Sequence, residues 1–100
     1  MSGFVQVIDF ETTHPDEMNA LMDEWAKETE GMRKTSTKGL LTHDRESGNH
    51  YMEIVEFPSY DVAMKNNELP ATQKFAGRMQ ALCSAGPRFV NLDVERTESW

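Results

Sequence analysis

The chain places side chains able to hold a reacting oxygen in one unusual segment, Asn66-Asn67-Glu68-Leu69-Pro70. It lies between two helical stretches, where amides can face a cavity without interrupting a regular hydrogen-bond ladder. Trp25, Tyr51, Tyr60 and Arg78 add further donors, and His43 or Glu53 can serve as a base. Such donors stabilise a developing oxyanion, and an imidazole or carboxylate of suitable pKa takes up a proton. Each of these residues also has a simpler role open to it. The two asparagines can satisfy backbone groups at a helix break, and Trp25 can belong to the core of its helix.

Other reactive residues carry less. His43 and His50 flank a hairpin turn, and a four-residue loop from Arg45 to Gly48 sets them opposite each other; another register separates them. Two imidazoles without a third converging ligand do not close a metal site, so no metal is expected. Cys83 falls on an apolar helical stripe with Phe75, Met79 and Leu82, which marks packing rather than a nucleophile. Ser59 reads as a helix cap. Arg33, Lys34 and Lys38 cluster after the first helix and read as a solvated loop rather than an anion site. Gln6, Asn91 and Asp93 form a second polar set, open to register-fixing inside a dimer or to a ligand.

The elements that must position these groups follow from pattern. Phe4 to Phe10 alternates two partly apolar faces (Phe4, Gln6, Ile8, Phe10 against Val5, Val7, Asp9), the mark of a strand covered on both sides. Thr13-His14-Pro15-Asp16 starts a helix over 14–30, with Thr13 as cap, Pro15 in the first turn and acids at the positive end of the dipole. Residues 37–44 and 50–57 form a hairpin. Pro58 ends the second strand and Ser59 opens a short helix; after the 66–70 hinge a longer helix runs to Gly86-Pro87, and 88–95 is the last strand.

The order β-α-β-β-α-β is the split, ferredoxin-like plan, a four-stranded antiparallel sheet with helices on one face, in a single domain spanning 1–100. Its other face is left with Val5, Val7, Leu40, Val55, Val90, Leu92 and Val94, too much apolar surface to remain open. A homodimer packed sheet to sheet is the expected solution. The net charge of −7 excludes a phosphate-neutralising face, so nucleic acid is not a partner. No apolar run nears the roughly 18–20 residues that span a membrane, no secretory pattern opens the chain, and its lone cysteine fits a reducing compartment, so it reads as cytoplasmic. Seven methionines suit either a loosely contoured core or an apolar pocket.

The run from Tyr51 to Leu82, with strand, Glu56-Phe57-Pro58-Ser59-Tyr60 corner, short helix, polar hinge and helix, resembles the dimeric α/β-barrel superfamily, in particular its antibiotic-biosynthesis-monooxygenase-like domains. In that family a small residue of the short helix is followed by histidines; counted from Ala63, their places fall here on Asn67 and Thr72. The resemblance implies a dimeric barrel with a small-molecule pocket. Haem-degrading relatives use a helix-borne histidine near 66–76, whereas the last of the three histidines here is His50. The resemblance thus points to chemistry without cofactor, in which a phenolic or polyketide-type substrate anion supplies the electrons. Trp25, His43, Tyr51, Asn66, Asn67 and Thr72 are the implied substrate-binding candidates; a non-catalytic binding or accessory domain is the alternative.

Overall fold

The computed structural model describes residues 3–32 and 37–100. Seven elements follow in order: β1 (Phe4–Thr12), α1 (Pro15–Glu28), β2 (Lys38–His43), β3 (His50–Phe57), α2 (Tyr60–Glu68), α3 (Pro70–Leu82) and β4 (Cys83–Asp93). The strands form one antiparallel sheet in the order β2-β3-β1-β4, with β3 and β1 at its centre. This is the ferredoxin-like plan, with the second helical region divided in two.

Register fixes which side chains face the helices. Phe4, Gln6, Ile8 and Phe10 pair with Phe57, Val55, Glu53 and Tyr51 on β3. Residues opposite one another share a sheet face, so this whole set looks toward the helices. Ile8 and Phe10 pack with Met18 and Leu21 of α1 and Met79 of α3 to form the main core. Phe4, Phe57 and Ala63 form a second cluster under α2, where the fully buried methyl of Ala63 lets that helix lie close to the sheet.

The opposite face carries Val5, Val7, Ile54, Val90 and Leu92, joined by Leu40 of β2. Val55, expected there, instead pairs with Gln6 on the helix side, and Ile54 takes its place. Tyr51 and Glu53 face the helices, and Asn91 faces them with its register partner Gln6.

Local signals explain most boundaries. Pro15 occupies the first turn of α1, with Asp16 and Glu17 beside it, but Thr13 does not cap: the N-cap is His14 and no side chain caps the helix, while the Thr12 hydroxyl accepts from the His14 N–H at 3.0 Å and donates to the Leu82 carbonyl at 2.6 Å. Ser59 Oγ accepts from the Val62 N–H, as a cap should. Pro70 opens α3 directly after α2, so the helix break falls at Leu69 and both asparagines sit in the last turns of α2.

The largest departure is at the end of α3. The helix stops at Leu82, and Cys83 opens a strand that runs through Gly86-Pro87 to Asp93. Cys83 is therefore a half-buried strand residue, and Gly86-Pro87 lies inside the strand rather than at a helix end. Pairing with β1 decides this, because β4 gains ladder hydrogen bonds to Glu11 and Thr12 across a register shift. Gly86 makes the shift sterically allowed: its φ is +82°, and a Cβ there would lie 2.8 Å from the Asp9 carbonyl oxygen.

Arg33 and Lys34, which the sequence groups with Lys38, lie outside the described residues. Lys38 itself is exposed at the start of β2. No helix among the described residues is long and apolar enough to cross a membrane.

Candidate functional site

Between the helices and the sheet lies a cavity of about 580 Å³. Its floor is the central sheet: Gln6 and Ile8 of β1, Glu53 and Val55 of β3, Phe89 and Asn91 of β4. Met22 and Trp25 of α1 wall it on one side, and Phe75, Ala76 and Met79 of α3 on another. Met64, Asn66 and Asn67 reach it from α2. Dividing the second helical region at Leu69 is what brings both α2 and α3 to the same space.

Polar side chains interrupt this largely apolar lining, and four of them pair with one another. Gln6 Nε2 donates to Asn91 Oδ1 at 3.1 Å, between residues that are register partners on β1 and β4. The Trp25 indole N–H donates to Thr72 Oγ1 at 2.8 Å, linking α1 to α3, and the Trp25 ring packs against Phe75 with centroids 6.1 Å apart. Two buried oxygens among the described residues accept no hydrogen bond: Glu53 Oε2 and Asn66 Oδ1. Burial raises the Glu53 carboxyl pKa above its ordinary value, because the charged form loses water without gaining a partner.

Sequence comparison finds nothing: no family model matches the chain, and no curated protein matches it. Comparison of folds is decisive where sequence is silent. SnoaB, a cofactor-independent oxygenase from Streptomyces nogalater, superposes with a TM-score of 0.76 over 99% of this chain and 97% of its own, at 15% identity. An antibiotic-biosynthesis-monooxygenase-like protein from Chloroflexus aurantiacus gives 0.72 at 12% identity, covering 97% of each chain. A conserved protein from Methanosarcina mazei gives 0.78 at 8% identity over 92% of each. The chain has the fold of the antibiotic biosynthesis monooxygenase-like proteins.

Within this monooxygenase-like fold, Trp25, Asn66, Asn67 and Thr72 come together around the cavity, while His43 and Tyr51 do not line it. His43 stacks on Tyr51 with ring centroids 4.3 Å apart, and Tyr51 in turn stacks on Phe10 at 5.8 Å. His43 Nε2 donates to the Gly48 carbonyl at 3.0 Å. Tyr60 packs edge-on to Phe4, and Arg78 donates to Glu24 at 2.7 Å on the helix surface. That guanidinium, by its hydrogen bond first, holds the Glu24 carboxyl below its usual range.

The two hairpin histidines do not converge. His43 pairs with Tyr51, so the turn is one residue longer than expected, and His50 lies opposite Asp44. His50 faces the open side of the sheet with Asp9, its Nε2 2.6 Å from Asp9 Oδ1 and its Nδ1 2.8 Å from Asp44 Oδ2. With a carboxylate on each ring nitrogen, both nitrogens donate and the imidazolium form is favoured. The hydrogen bond to Asp44, then that to Asp9, raises the His50 pKa. Among the described residues no group of three acidic, cysteine or histidine side chains is arranged to hold a metal. The Cys83 thiol is pushed up by burial, which suits packing more than nucleophilic attack.

Glu53, which the sequence offers only as a base, and Val55, with Met22, Met64 and Phe89, are among the lining residues outside the substrate-binding candidates. One signal was available for the first two. Phe57 is a core residue of β3, and period-two alternation from it places Val55 and Glu53 on the same side.

Proposed function

We propose that the protein is a small monooxygenase-like enzyme that works without flavin or metal on a hydrophobic aromatic or polyketide-type substrate. The observation that carries this reading is the cavity of about 580 Å³, walled by Trp25, Phe75 and Met79 and reached by a small number of polar side chains. That is the make-up of a small-molecule site. SnoaB, whose fold the chain shares, is a cofactor-independent oxygenase, which supports the same class.

In such a reaction the substrate anion supplies the electrons to molecular oxygen. One oxygen atom ends on the substrate carbon as a carbonyl, and the other leaves as water with the two hydrogens removed from the substrate. The protein excludes water, holds the ring against Trp25 and Phe75, and offers amide donors such as Asn67 to the oxygen on which charge develops. Proton acceptors at the cavity among the described residues are Glu53 and Asp23.

Oxygen uptake with a polycyclic phenol, with product formed in equal amount, tests the reading. Turnover should fall by about tenfold or more in Asn67→Ala, as it does when an oxyanion donor is removed; turnover unchanged in that variant takes Asn67 out of the mechanism. The alternative is a ligand-binding domain without turnover, favoured by Asn67 and Thr72 standing where the resemblance expects histidines.

The proposal includes a homodimer through the open sheet face. Leu40 and Leu92 are 49% and 44% exposed there, beside half-buried Val5, Val7, Ile54 and Val90. A contiguous apolar sheet face of this kind is covered in most soluble proteins, and a twofold axis is the commonest way to cover it.

A further inference from the structure

We infer that Glu53 selects the ligand: the cavity takes an aromatic compound carrying a hydroxyl group, and the Glu53 carboxylate accepts the hydroxyl hydrogen. This rests on the reading of the cavity as a small-molecule site.

The polar groups around the cavity sort into those already occupied and those still open. Gln6 and Asn91 bond each other, and the Trp25 indole N–H is given to Thr72. Among the fully buried side-chain atoms, what stays open is a pair of acceptors, Glu53 Oε2 and Asn66 Oδ1, both without a donor among the described residues. A buried acceptor left open is costly, and more so when it carries charge. The described lining contains no lysine, arginine or histidine to answer it. The missing partner is therefore a donor brought by the ligand. The apolar walls require the rest of that ligand to be a flat hydrophobic body, which together describe a phenol or enol.

The neighbouring strand makes room for this carboxylate. A Cβ on Gly39 of β2 would stand 2.9 Å from Glu53 Oε1, so any larger residue at 39 would push the carboxylate aside. Asp23, the other carboxylate of the lining, is exposed on α1 and carries no buried unpartnered oxygen, so it does not compete for the role. Burial raises the Glu53 pKa, which makes its anion a stronger acceptor than a surface carboxylate. The titratable groups that face it from other described elements are Asp23 on α1 and His43, two residues beyond Leu41 on β2; Leu41 is its register partner. Gln6, Asn66, Asn67, Gln73 and Asn91 are neutral.

Titration calorimetry with 2-naphthol and its methyl ether, 2-methoxynaphthalene, tests this at about pH 7, where a phenol is un-ionised. Wild type should prefer the naphthol by about tenfold or more, since a site built to bond a hydroxyl rejects an analogue that lacks the donor. Glu53→Leu should bring the two affinities to within about twofold while keeping ether binding, which shows that the cavity is intact. Gly39→Ala, which moves the carboxylate without removing it, should also reduce the preference. Equal affinities in wild type, or a preference that survives Glu53→Leu, overturn the inference. Selective binding with no oxygen uptake overturns the oxygenase reading and leaves this one standing. Oxygen uptake without preference for the hydroxyl does the reverse, and failure of both compounds to bind overturns both.

Discussion

Trp25 and Thr72 are 47 residues apart in sequence, and the indole N–H of one donates to the hydroxyl of the other at 2.8 Å. This bond joins α1 to α3 at the wall of the cavity, where both side chains are exposed to a ligand. It lies near three surface ion pairs between the same helices, Arg78 with Glu24 and Lys74 with both Glu24 and Glu28. Exposed pairs of that kind contribute little, so the part-buried Trp25–Thr72 bond is the more informative one to break. Thr72→Val keeps the shape and removes the acceptor. It should cost about 1 kcal/mol, seen as a melting temperature lower by roughly 4–8 °C for a domain of this size. An unchanged melting temperature would mean that this contact does not hold the helices together.

The His50 cluster makes stability depend on pH at two ends. His50 has a raised pKa, so the stabilisation from its pairs with Asp44 and Asp9 is complete below its ordinary value of 6.5 and is lost as pH climbs through the raised value. Asp44 has a lowered pKa, owing first to His50 and then to the Glu46 backbone N–H. Its contribution is complete above the ordinary 3.8 and is lost as pH falls through the lowered value. Urea midpoints measured across pH should therefore decline on the alkaline side in wild type and stay flatter there in His50→Gln. Identical profiles for the two proteins would refute the pairing.

Two glycines should respond to alanine in opposite directions. Gly86 has φ at +82° and the Asp9 carbonyl 2.8 Å from where a Cβ would sit, so Gly86→Ala should destabilise by about 1–3 kcal/mol. Gly77 lies exposed within α3 with nothing inside 4 Å, so Gly77→Ala should stabilise by about 0.5–1 kcal/mol. Chemical denaturation of the pair reads both signs in one experiment.

Ile54 and Val55 are adjacent in β3 and face opposite sides of the sheet. Ile54→Glu should give a monomer by sedimentation at micromolar protein if the open face is the dimer interface, since a charge there has no partner. Val55→Glu should leave association unchanged and disturb ligand binding. A wild-type monomer under the same conditions would remove the dimer from the proposal.

The ferredoxin-like order was legible because its signals are local. Alternation in Phe4–Phe10, Pro15 with following acids, the polar hairpin and the Pro58-Ser59 corner each depend on a few consecutive residues. Sequence also placed Asn66, Asn67 and Trp25 among the candidates that meet at the cavity, because a helix break and an amphipathic stripe are readable in one dimension; Thr72 came only from the resemblance, by its distance from Ala63.

What local pattern could not decide was pairing. Ile54 and Val55 are both apolar, and the alternation that separates them becomes readable only once Phe57 is known to be buried; pairing with β1 sends Val55 and Glu53 to the cavity and Ile54 to the open face. The same pairing drew Cys83 and Gly86-Pro87 into β4, where helical spacing had suggested a helix end. It also turned His43 and His50 to opposite faces, one into an aromatic stack and the other between two aspartates. The sequence by itself thus determined the order of elements, while only the tertiary structure decided which face each strand residue uses. The reason is physical: a one-residue difference in register costs nothing locally but moves every side chain of a strand to the other side of the sheet.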